Sequence, residues 1–386
     1  MSAQHLPVVQ ELIDMIAKNG WQDKFQQAYE KAKSYNVKEM DDINSLDDYY
    51  NWLDANLRWV PVENFYGRAM FNHICKFYFI LQQPPVLELQ NAVVPHDVEQ
   101  PLTELSAWMK KYIKELGMWL DTPESITDES VKSFYASPEF NMDEYLQPRG
   151  GWKTYNDFFA RSCKPGTRPV AAITDSTVIT SPADATFDGA WEVRGDDTIE
   201  IKGIHWKISE LLEGSPYKDR FAGGMWTHSF LGPNDYHRQH APVAGRVLEA
   251  HDIMGTTYLQ VVAVPDPETG RNKLDGQKVS EFGAPDAPGY EFMQNRGLVI
   301  MQSAIGLVAI LPMGMGQVSS VVVTAEPGRV LRKGEEISYF QFGGSDIVMV
   351  FEQAANVHFT ATKGEHYKYG RAIAKAYPAV EGIEML

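Results

Sequence analysis

Apolar residues recur at three- and four-residue spacing from the start of the chain to about Tyr145. Charged and polar residues fill the positions between them, which is typical of amphipathic helices that bury one face. We predict four long helices from this pattern: Val8 to Ala17, Trp21 to Ala32, Leu46 to Leu57 and Leu102 to Leu120. Further helix starts are expected at Thr122 and Thr127, where a hydroxyl precedes residues that suit a first turn.

The pattern changes after Trp152 to short apolar runs separated by Gly, Pro and Asp, which predict β-strands. These runs are Val178 to Thr180, Ile199 to Ile201, Ile208 to Leu212, Arg246 to Glu249, Tyr258 to Ala263, Leu298 to Met301 and Gly306 to Leu311. The segment Gln147 to Gly151 breaks helices and has no apolar period, so we place a boundary there. The sequence therefore predicts an α+β fold, with a helical N-terminal domain at 1–147 and a mostly β catalytic domain at 148–386.

One uncharged stretch, Gly297 to Ala325, is long enough to cross a bilayer. It is interrupted by glycines and by Pro312, and it is rich in Val and Ile. We therefore interpret it as two or three buried strands joined by turns, and not as a membrane span.

The net charge and the cysteine content limit the binding partners and the cellular compartment that we expect for this protein. The chain has 51 acidic and 35 basic residues, and its net charge of −16 argues against nucleic acid or an anionic membrane surface as main partner. Its two cysteines, Cys75 and Cys163, show neither disulfide nor metal-ligand spacing. The first residues lack the basic start and apolar core of a signal peptide. We expect a cytoplasmic protein, and the sequence leaves a homo-oligomer open.

The most distinctive candidate for chemistry is the run Gly343-Gly344-Ser345, which lies between two apolar β runs. Gly344 has no Cβ to shield its carbonyl, so the Ser345 hydroxyl can approach and attack that carbonyl. The alternative is structural: an isolated Gly-Gly-Ser is usually a β-bulge or hairpin corner in a core sheet.

Other residues offer the partners that such a serine needs. Asp184 follows a turn set by a proline, although an Asp there usually bonds its own backbone. His237 and His240 lie three residues apart; no third ligand stands at suitable spacing, so we expect no metal. Asp, His and Ser are thus available for a triad, which depends on geometry and not on chain order. The residues alone leave a serine hydrolase and a self-acting serine open.

Two more groups are candidates for the lining of a site. A small-residue turn after a buried strand can offer backbone N–H groups to an oxyanion, and its candidates are Gly314, Gly316 and Ser320. An aromatic run consists of Phe77, Tyr78 and Phe79. That run is interpreted as core, with the lining of a substrate pocket as the alternative.

Short motifs follow one another along the second half of the chain. They are Phe158-Phe159-Ala160-Arg161, Lys164 to Pro169, Ser181 to Asp184, Ile201 to Gly203, Tyr236 to Pro242, Asn295-Arg296 and Phe340 to Ser345. In this order they make the chain from about Tyr155 to Lys375 similar to the phosphatidylserine decarboxylase family of pyruvoyl enzymes. Two residues depart from the family pattern: Ala185 stands where the family has glycine, and Asp346 where it usually has threonine.

The resemblance implies a chain that cuts itself between Gly344 and Ser345, giving a β chain of residues 1–344 and an α chain of residues 345–386. By analogy with the family, His240, oriented by Asp184, takes the proton from Ser345, whose oxygen attacks the Gly344 carbonyl.

The same resemblance implies the cofactor. Ser345 would become a pyruvoyl group, whose carbonyl would form a Schiff base with a substrate amine and act as electron sink. His237 or His240 would then protonate the carbanion left by CO2. Neither pyridoxal phosphate nor metal is implied.

The segment from Trp59 to Pro84 resembles the helical domain of soluble family members that act on free amino acids, fungal L-tryptophan decarboxylases among them. Together with the negative charge, this predicts release of CO2 from a free L-amino acid, with an aromatic side chain favoured. A phosphatidylserine decarboxylase that makes phosphatidylethanolamine is the first alternative. An uncleaved serine hydrolase and a non-catalytic binding scaffold are the others.

Overall fold

Helices dominate the chain up to residue 159, and strands dominate from residue 178 onward. The structure is a computed structural model that describes residues 5–95, 100–201, 204–276, 289–315, 321–342 and 344–378. Its α-helices are α1 (Pro7–Asn19), α2 (Gln22–Ser34), α3 (Leu46–Asn56), α4 (Ala69–Leu81), α5 (Glu104–Leu120), α6 (Asp128–Ala136), α7 (Tyr155–Phe159) and α8 (Ile208–Leu211). The predicted α+β class is confirmed.

The four long helices predicted from periodicity are confirmed as α1, α2, α3 and α5. The predicted start at Thr127 is also confirmed, because the Thr127 and Ser130 side chains cap each other's backbone N–H groups at the start of α6. Thr122 precedes only a short 3-10 turn, Pro123–Ser125. Helix α4 was not predicted as a helix, because all of Ile74 to Leu81 is buried and leaves no polar face to set a period.

Strands from the second half of the chain form one large antiparallel sheet and several small ones. The strands are β1 (Val178–Thr180), β2 (Ala185–Glu192), β3 (Thr198–Ile201), β4 (Ile204–Lys207), β5 (Met225–Leu231), β6 (Arg238–His240), β7 (Gly245–Ile253), β8 (Val261–Asp266), β9 (Arg271–Gly276), β10 (Arg296–Ser303), β11 (Gly306–Met315), β12 (Val321–Val323), β13 (Val330–Leu331), β14 (Glu336–Phe340), β15 (Gly344–Phe351), β16 (Val357–Phe359), β17 (His366–Tyr367) and β18 (Ala372–Ala376). The large sheet has the order β13-β7-β10-β11-β15-β5-β2-β17, which places β15 at its centre.

The small sheets complete the β region. Two of them have three strands, in the orders β12-β14-β6 and β1-β18-β16, and β3-β4 and β8-β9 are hairpins. Most predicted strands fall within these elements, but the prediction of a strand at Ile208 to Leu212 is wrong. Residues Ile208–Leu211 form helix α8, and Ile208 and Leu211, three apart, are both buried as on one helical face.

The uncharged stretch from Gly297 to Ala325 contains β10, β11 and β12, so its interpretation as buried strands is confirmed where the structure describes it. Within the described ranges, no helix is both long and apolar enough to cross a membrane.

The two faces of the large sheet bury separate apolar clusters. Alternate residues of β15 point to opposite faces, as in any strand. Ile347 and Met349 join a cluster that extends through the N-terminal helices. Val348 and Val350 join a second cluster built around Trp206 and Phe292. The N-terminal helices therefore share one apolar cluster with the face of the sheet to which Ser345 belongs, and α4 packs directly against β8 and β9. The predicted domain boundary at residues 147/148 stays a prediction.

Candidate active site

Ser345 is the second residue of β15 and is fully buried. Its neighbours across the ladder are Gly314 on β11 and Leu231 on β5. The two apolar runs around the Gly-Gly-Ser corner are strands, as predicted, but they do not form a hairpin. Strand β14 pairs with β12 and β6, whereas β15 pairs with β11 and β5. The chain passes from one sheet to another just before Ser345.

The imidazole of His237 lies beside the Ser345 hydroxyl, with Nδ1 3.5 Å from Oγ. The other ring nitrogen, Nε2, lies 3.4 Å from the carbonyl oxygen of Pro233. Because a carbonyl only accepts hydrogen bonds, this contact assigns the proton to Nε2 and leaves Nδ1 as an acceptor toward Ser345. Both contacts are long, as is common before a reaction complex forms.

Two residues of the Phe-Phe-Ala-Arg motif hold the His237 segment. The Phe159 ring stacks on the His237 ring at 3.8 Å between centroids. Arg161 donates to the carbonyl oxygens of Asn234 (2.7 Å) and Asp235 (2.9 Å), just before His237. Burial lowers the pKa of His237 well below its ordinary value, and the Arg161 guanidinium lowers it further. His237 is therefore neutral at physiological pH and able to accept a proton.

His240 is held away from Ser345 by other partners. Its Nδ1 lies 2.8 Å from the carbonyl oxygen of Gly334, and its Nε2 lies 3.0 Å from the Tyr236 hydroxyl. The Tyr369 ring stacks on it at 3.7 Å. Burial lowers the pKa of His240 to about 4. The predicted contact of His240 with Ser345 is not found among the described residues; His237 makes it instead.

Asp184 does not orient His240 directly. Its carboxylate accepts from Arg168 Nε and Nη2, at 2.9 and 2.6 Å to Oδ2, and from the backbone N–H of Tyr369 at 2.8 Å. Burial raises the pKa of Asp184, and the Arg168 guanidinium partly offsets that rise. The predicted triad is thus corrected, because an arginine occupies both carboxylate oxygens. Among the residues that the structure describes, no hydrogen bond joins the Asp184 and His240 side chains; Tyr369, whose N–H donates to Asp184, stacks its ring on His240.

The oxyanion candidates have a mixed outcome. Gly314 lies opposite Ser345, but its N–H donates to the carbonyl oxygen of Asn295 at 2.9 Å. That donor is therefore in use, and the expectation for Gly314 is wrong as stated. Gly316 and Ser320 lie outside the described residues. Within the described ranges, no group of three or more ligating side chains could hold a metal ion.

The aromatic run belongs to the helical core. The Phe77 ring stacks on Tyr112 at 4.9 Å, the Phe79 ring contacts Tyr35, and the Tyr78 hydroxyl lies 3.3 Å from Thr257. All three side chains of the run are at most 1% exposed, so they are core residues and do not line an open pocket.

A different aromatic group approaches the Gly-Gly-Ser corner. The Trp59 ring stacks on His73 at 3.9 Å and meets the edge of Phe342 at 5.5 Å. The Phe342 ring also packs against Phe159. The Asn156 side chain on α7 accepts from the Phe342 backbone N–H at 3.1 Å. Sequence reasoning did not single out Asn156 or Phe342, although both lie inside or next to the motifs that carry the family resemblance.

The carboxylate of Asp346 lies on the opposite face of the sheet from the Ser345 hydroxyl. It accepts from the Tyr290 hydroxyl at 3.0 Å and lies 3.5 Å from His228 Nε2. The other nitrogen of His228 bonds Asp188 at 2.8 Å. Burial acts to lower the pKa of His228, but Asp346 and Asp188 outweigh it and raise that pKa well above its ordinary value. A buried cation thus stands beside the residue that follows Ser345.

Comparisons with known proteins match this region. The family model of phosphatidylserine decarboxylase matches residues 155–375. Phosphatidylserine decarboxylase proenzyme 3 of Schizosaccharomyces pombe is 32% identical over 250 residues, which is 63% of this chain and 24% of that protein. Decarboxylase iboD of Amanita muscaria is 27% identical over 295 residues, 70% of this chain and 84% of that protein.

A bacterial relative matches over a similar extent. Phosphatidylserine decarboxylase proenzyme of Clostridium perfringens is 26% identical over 288 residues, 74% of this chain and 89% of that protein. The chain spans about a quarter of the length of the Schizosaccharomyces pombe relative. Among solved structures, glucose permease IIA from Mycoplasma capricolum matches 51% of this chain and 93% of that chain, with 14% identity and a TM-score of 0.24, too low to support an argument. The family match covers more than half of the sequence, and the chain belongs to the phosphatidylserine decarboxylase family.

Proposed function

We propose that this protein cuts itself between Gly344 and Ser345 and then decarboxylates a free L-amino acid. The observation that carries the proposal is the buried Ser345 hydroxyl facing the acceptor nitrogen of a neutral histidine, His237, in a member of this family. The residues fit a pyruvoyl group, because its precursor is Ser345 itself and the base that its formation needs is in contact. When formed, the group supplies the electron sink for decarboxylation.

His237 is assigned as the base in self-cleavage. Its Nδ1 accepts the hydroxyl proton while Ser345 Oγ bonds to the carbonyl carbon of Gly344. The amide bond between the two residues breaks, its nitrogen takes up the proton, and an ester links Gly344 to Oγ. A base takes the α-proton of residue 345 while its Cβ–Oγ bond breaks and frees the Gly344 carboxylate, and Cβ then takes up a proton. Water replaces the nitrogen of residue 345, which leaves as ammonia.

The same histidine is suited to the later reaction. His237 is fully buried between Phe159 and the strand that carries residue 345. Once Nδ1 has taken up a proton, it lies close enough to the side chain of residue 345, at 3.5 Å, to return that proton to a substrate bound there. His240 becomes a positioning residue, since its Nδ1–H holds the Gly334 carbonyl just before β14.

A free amino acid, with an aromatic side chain favoured, is the proposed substrate. The net charge of −16 opposes approach to an anionic bilayer. The helical region brings Trp59, whose ring stacks on His73, to Phe342, three residues before Ser345, and such rings suit an apolar or aromatic side chain.

A second candidate substrate, phosphatidylserine, has its own support. Phe65 and Tyr66 are 66% and 78% exposed, in the segment that follows Trp59. Exposed aromatic side chains are typical of proteins that touch a membrane interface. Two of the three relatives above are named phosphatidylserine decarboxylase proenzymes, and the third is named a decarboxylase.

The test has two arms. The intact mass of purified wild-type protein and of Ser345→Ala reports cleavage, and we expect two chains for the wild type and one for the variant. Amine formation is then measured with the twenty amino acids and with phosphatidylserine vesicles. Turnover of the lipid alone would establish the second candidate. An uncut wild type labelled at Ser345 by a fluorophosphonate would show a serine hydrolase, and an uncut, unlabelled chain would point to a binding scaffold.

A further inference from the structure

Asp346 is surrounded by a buried ionic group on the face of the sheet opposite the Ser345 hydroxyl. Its side chain is fully buried and accepts a hydrogen bond from the Tyr290 hydroxyl at 3.0 Å. His228 Nε2 lies 3.5 Å from Asp346 and 3.6 Å from Glu291. The other ring nitrogen of His228, Nδ1, lies 2.8 Å from Asp188 Oδ2. Burying one cation with three carboxylates costs free energy, and neither proposed step uses them.

Cleavage changes what holds this end of β15. In the uncut chain, residue 345 is fixed on both sides by covalent bonds, and it pairs with Gly314 and Leu231 in the ladder. Conversion of Ser345 to a pyruvoyl group replaces its backbone nitrogen by a carbonyl oxygen, so residue 345 loses its ladder donor. Strand ends held by few bonds fray. The first residue that keeps both a backbone N–H and an anchored side chain is Asp346.

We propose that Asp346 is a positioning residue: held by Tyr290 and His228, it fixes the newly cut end of the α chain and thereby the reactive group at residue 345. The inference rests on the proposed cleavage between Gly344 and Ser345. It assigns a role to a residue that departs from the family pattern.

Three separate elements make the anchor rigid. Tyr290 belongs to a 3-10 turn at Tyr290–Phe292, His228 to β5, and Asp188 to β2. The raised pKa of His228 keeps the cation in place at neutral pH. The other side of the cut is held independently, through Asn156 and the Phe342 backbone N–H. The two ends can therefore stay in register without the peptide bond that joined them.

The experiment compares Asp346→Ala, Asp346→Asn and Tyr290→Phe with the wild type. We expect all of them to be cut, and Asp346→Ala to lose about 10- to 100-fold in kcat with little change in KM, since small misplacements of reacting groups cost that much. Asp346→Asn keeps an acceptor for Tyr290 and should recover part of the loss. Hydrogen exchange at residues 346–348 should be faster in cut Asp346→Ala, but not in the uncut Ser345→Ala/Asp346→Ala chain.

Glu352→Gln is the matched control, because Glu352 is a buried carboxylate just beyond the far end of β15, bonded to the Leu307 N–H and to Arg220. It should leave kcat and the exchange of residues 346–348 unchanged. If Asp346→Ala and Tyr290→Phe both keep the kcat and the hydrogen exchange of the wild type, the inference is overturned but the proposed function is not. The inference is also overturned if hydrogen exchange at residues 346–348 is equal in cut Asp346→Ala and in the uncut Ser345→Ala/Asp346→Ala chain. A wild type that stays uncut would contradict the proposed function and the inference together.

Discussion

Two buried histidines face successive residues of β15, and their charges differ. His237 faces Ser345, and burial with the nearby Arg161 guanidinium keeps it neutral. His228 faces Asp346, and the carboxylates of Asp346 and Asp188 keep it cationic despite equal burial. The comparison teaches that burial alone does not set the protonation state of a histidine; the charge of its nearest neighbours decides.

Side chains alternate between the two faces of a β-strand, and this alternation keeps the two histidine environments apart. Neighbouring side chains of β15 point to opposite faces of the sheet, so the neutral base and the ionic anchor lie one residue apart along the chain yet in separate environments. Aromatic rings pack against both imidazoles, and His228 in addition has carboxylates within 3.6 Å. One strand thus carries a proton acceptor on one face and a fixed charge network on the other.

The largest expected effect comes from removing the neutral histidine. His237→Ala should slow self-cleavage by about 10²- to 10⁴-fold, the usual contribution of a general base. His240→Ala should slow it less, since His240 acts through Gly334. The conversion of one chain into two is followed by mass spectrometry over time. Normal cleavage in His237→Ala with a block in His240→Ala would restore the assignment predicted from the sequence.

Removing the cationic histidine should mainly affect stability. His228→Gln leaves Asp346 and Asp188 buried without their cation, and loss of one partner of a buried pair costs about 3–5 kcal/mol. Urea unfolding of the uncut Ser345→Ala protein, with and without His228→Gln, measures the change in free energy of unfolding. The double change His228→Gln and Asp346→Asn should cost less than the sum of the single changes; strict additivity would mean that the two side chains do not interact.

Asp184→Asn distinguishes two roles for Asp184: a structural role through its ion pair with Arg168, and a catalytic role in setting the tautomer of His240. Asparagine keeps an acceptor for the Tyr369 N–H but loses the charge that binds Arg168, so we expect a loss of about 2–3 kcal/mol. Arg168→Gln should give a similar loss, because it breaks the same pair. Urea unfolding of uncut protein provides the measurement. A normal free energy of unfolding with strongly slowed cleavage would instead favour direct catalytic participation.

The smallest expected effect is a pair of opposite pH dependences. The pKa of His240 is about 4 when folded and 6.5 in its ordinary state, so the unfolded chain binds more protons in between. Stability should therefore fall as pH drops below 6.5, by roughly 2 kcal/mol at pH 5 from this residue. The raised pKa of His228 acts the other way: its contribution is present below 6.5 and is lost as pH rises through its folded pKa.

Thermal unfolding of uncut protein between pH 5 and 9 tests both slopes. His240→Gln should flatten the loss on the acid side, and His228→Gln the loss on the alkaline side. The same slope in each variant as in the parent protein would show that neither histidine changes its pKa on folding.

Local patterns accounted for much of the fold. Amphipathic helices α1, α2, α3 and α5 have one polar face, so their period is visible in the sequence. Helix α4 buries every residue from Ile74 to Leu81, and α8 is a single turn whose residues also suit a strand, so neither could be assigned from period.

The candidate site was predictable residue by residue, but not in its pairings. The motifs pointed to Ser345, His237, His240 and Asp184, and all four side chains are buried. Their contacts depend on residues far away in the chain: Phe159 and Arg161 place His237, and Arg168 takes the Asp184 carboxylate. No spacing along the sequence encodes such contacts.

The sequence by itself determined the family, the α+β class and the position of Ser345 between two apolar β runs, because these follow from short motifs and from local period. Only the tertiary structure decided which histidine contacts Ser345. It also decided that Asp184 pairs with Arg168, and that Asp346 lies on the opposite face of the sheet beside a cation. The physical reason is that hydrogen bonds and pKa values depend on distance and burial, and the packing of distant segments sets both.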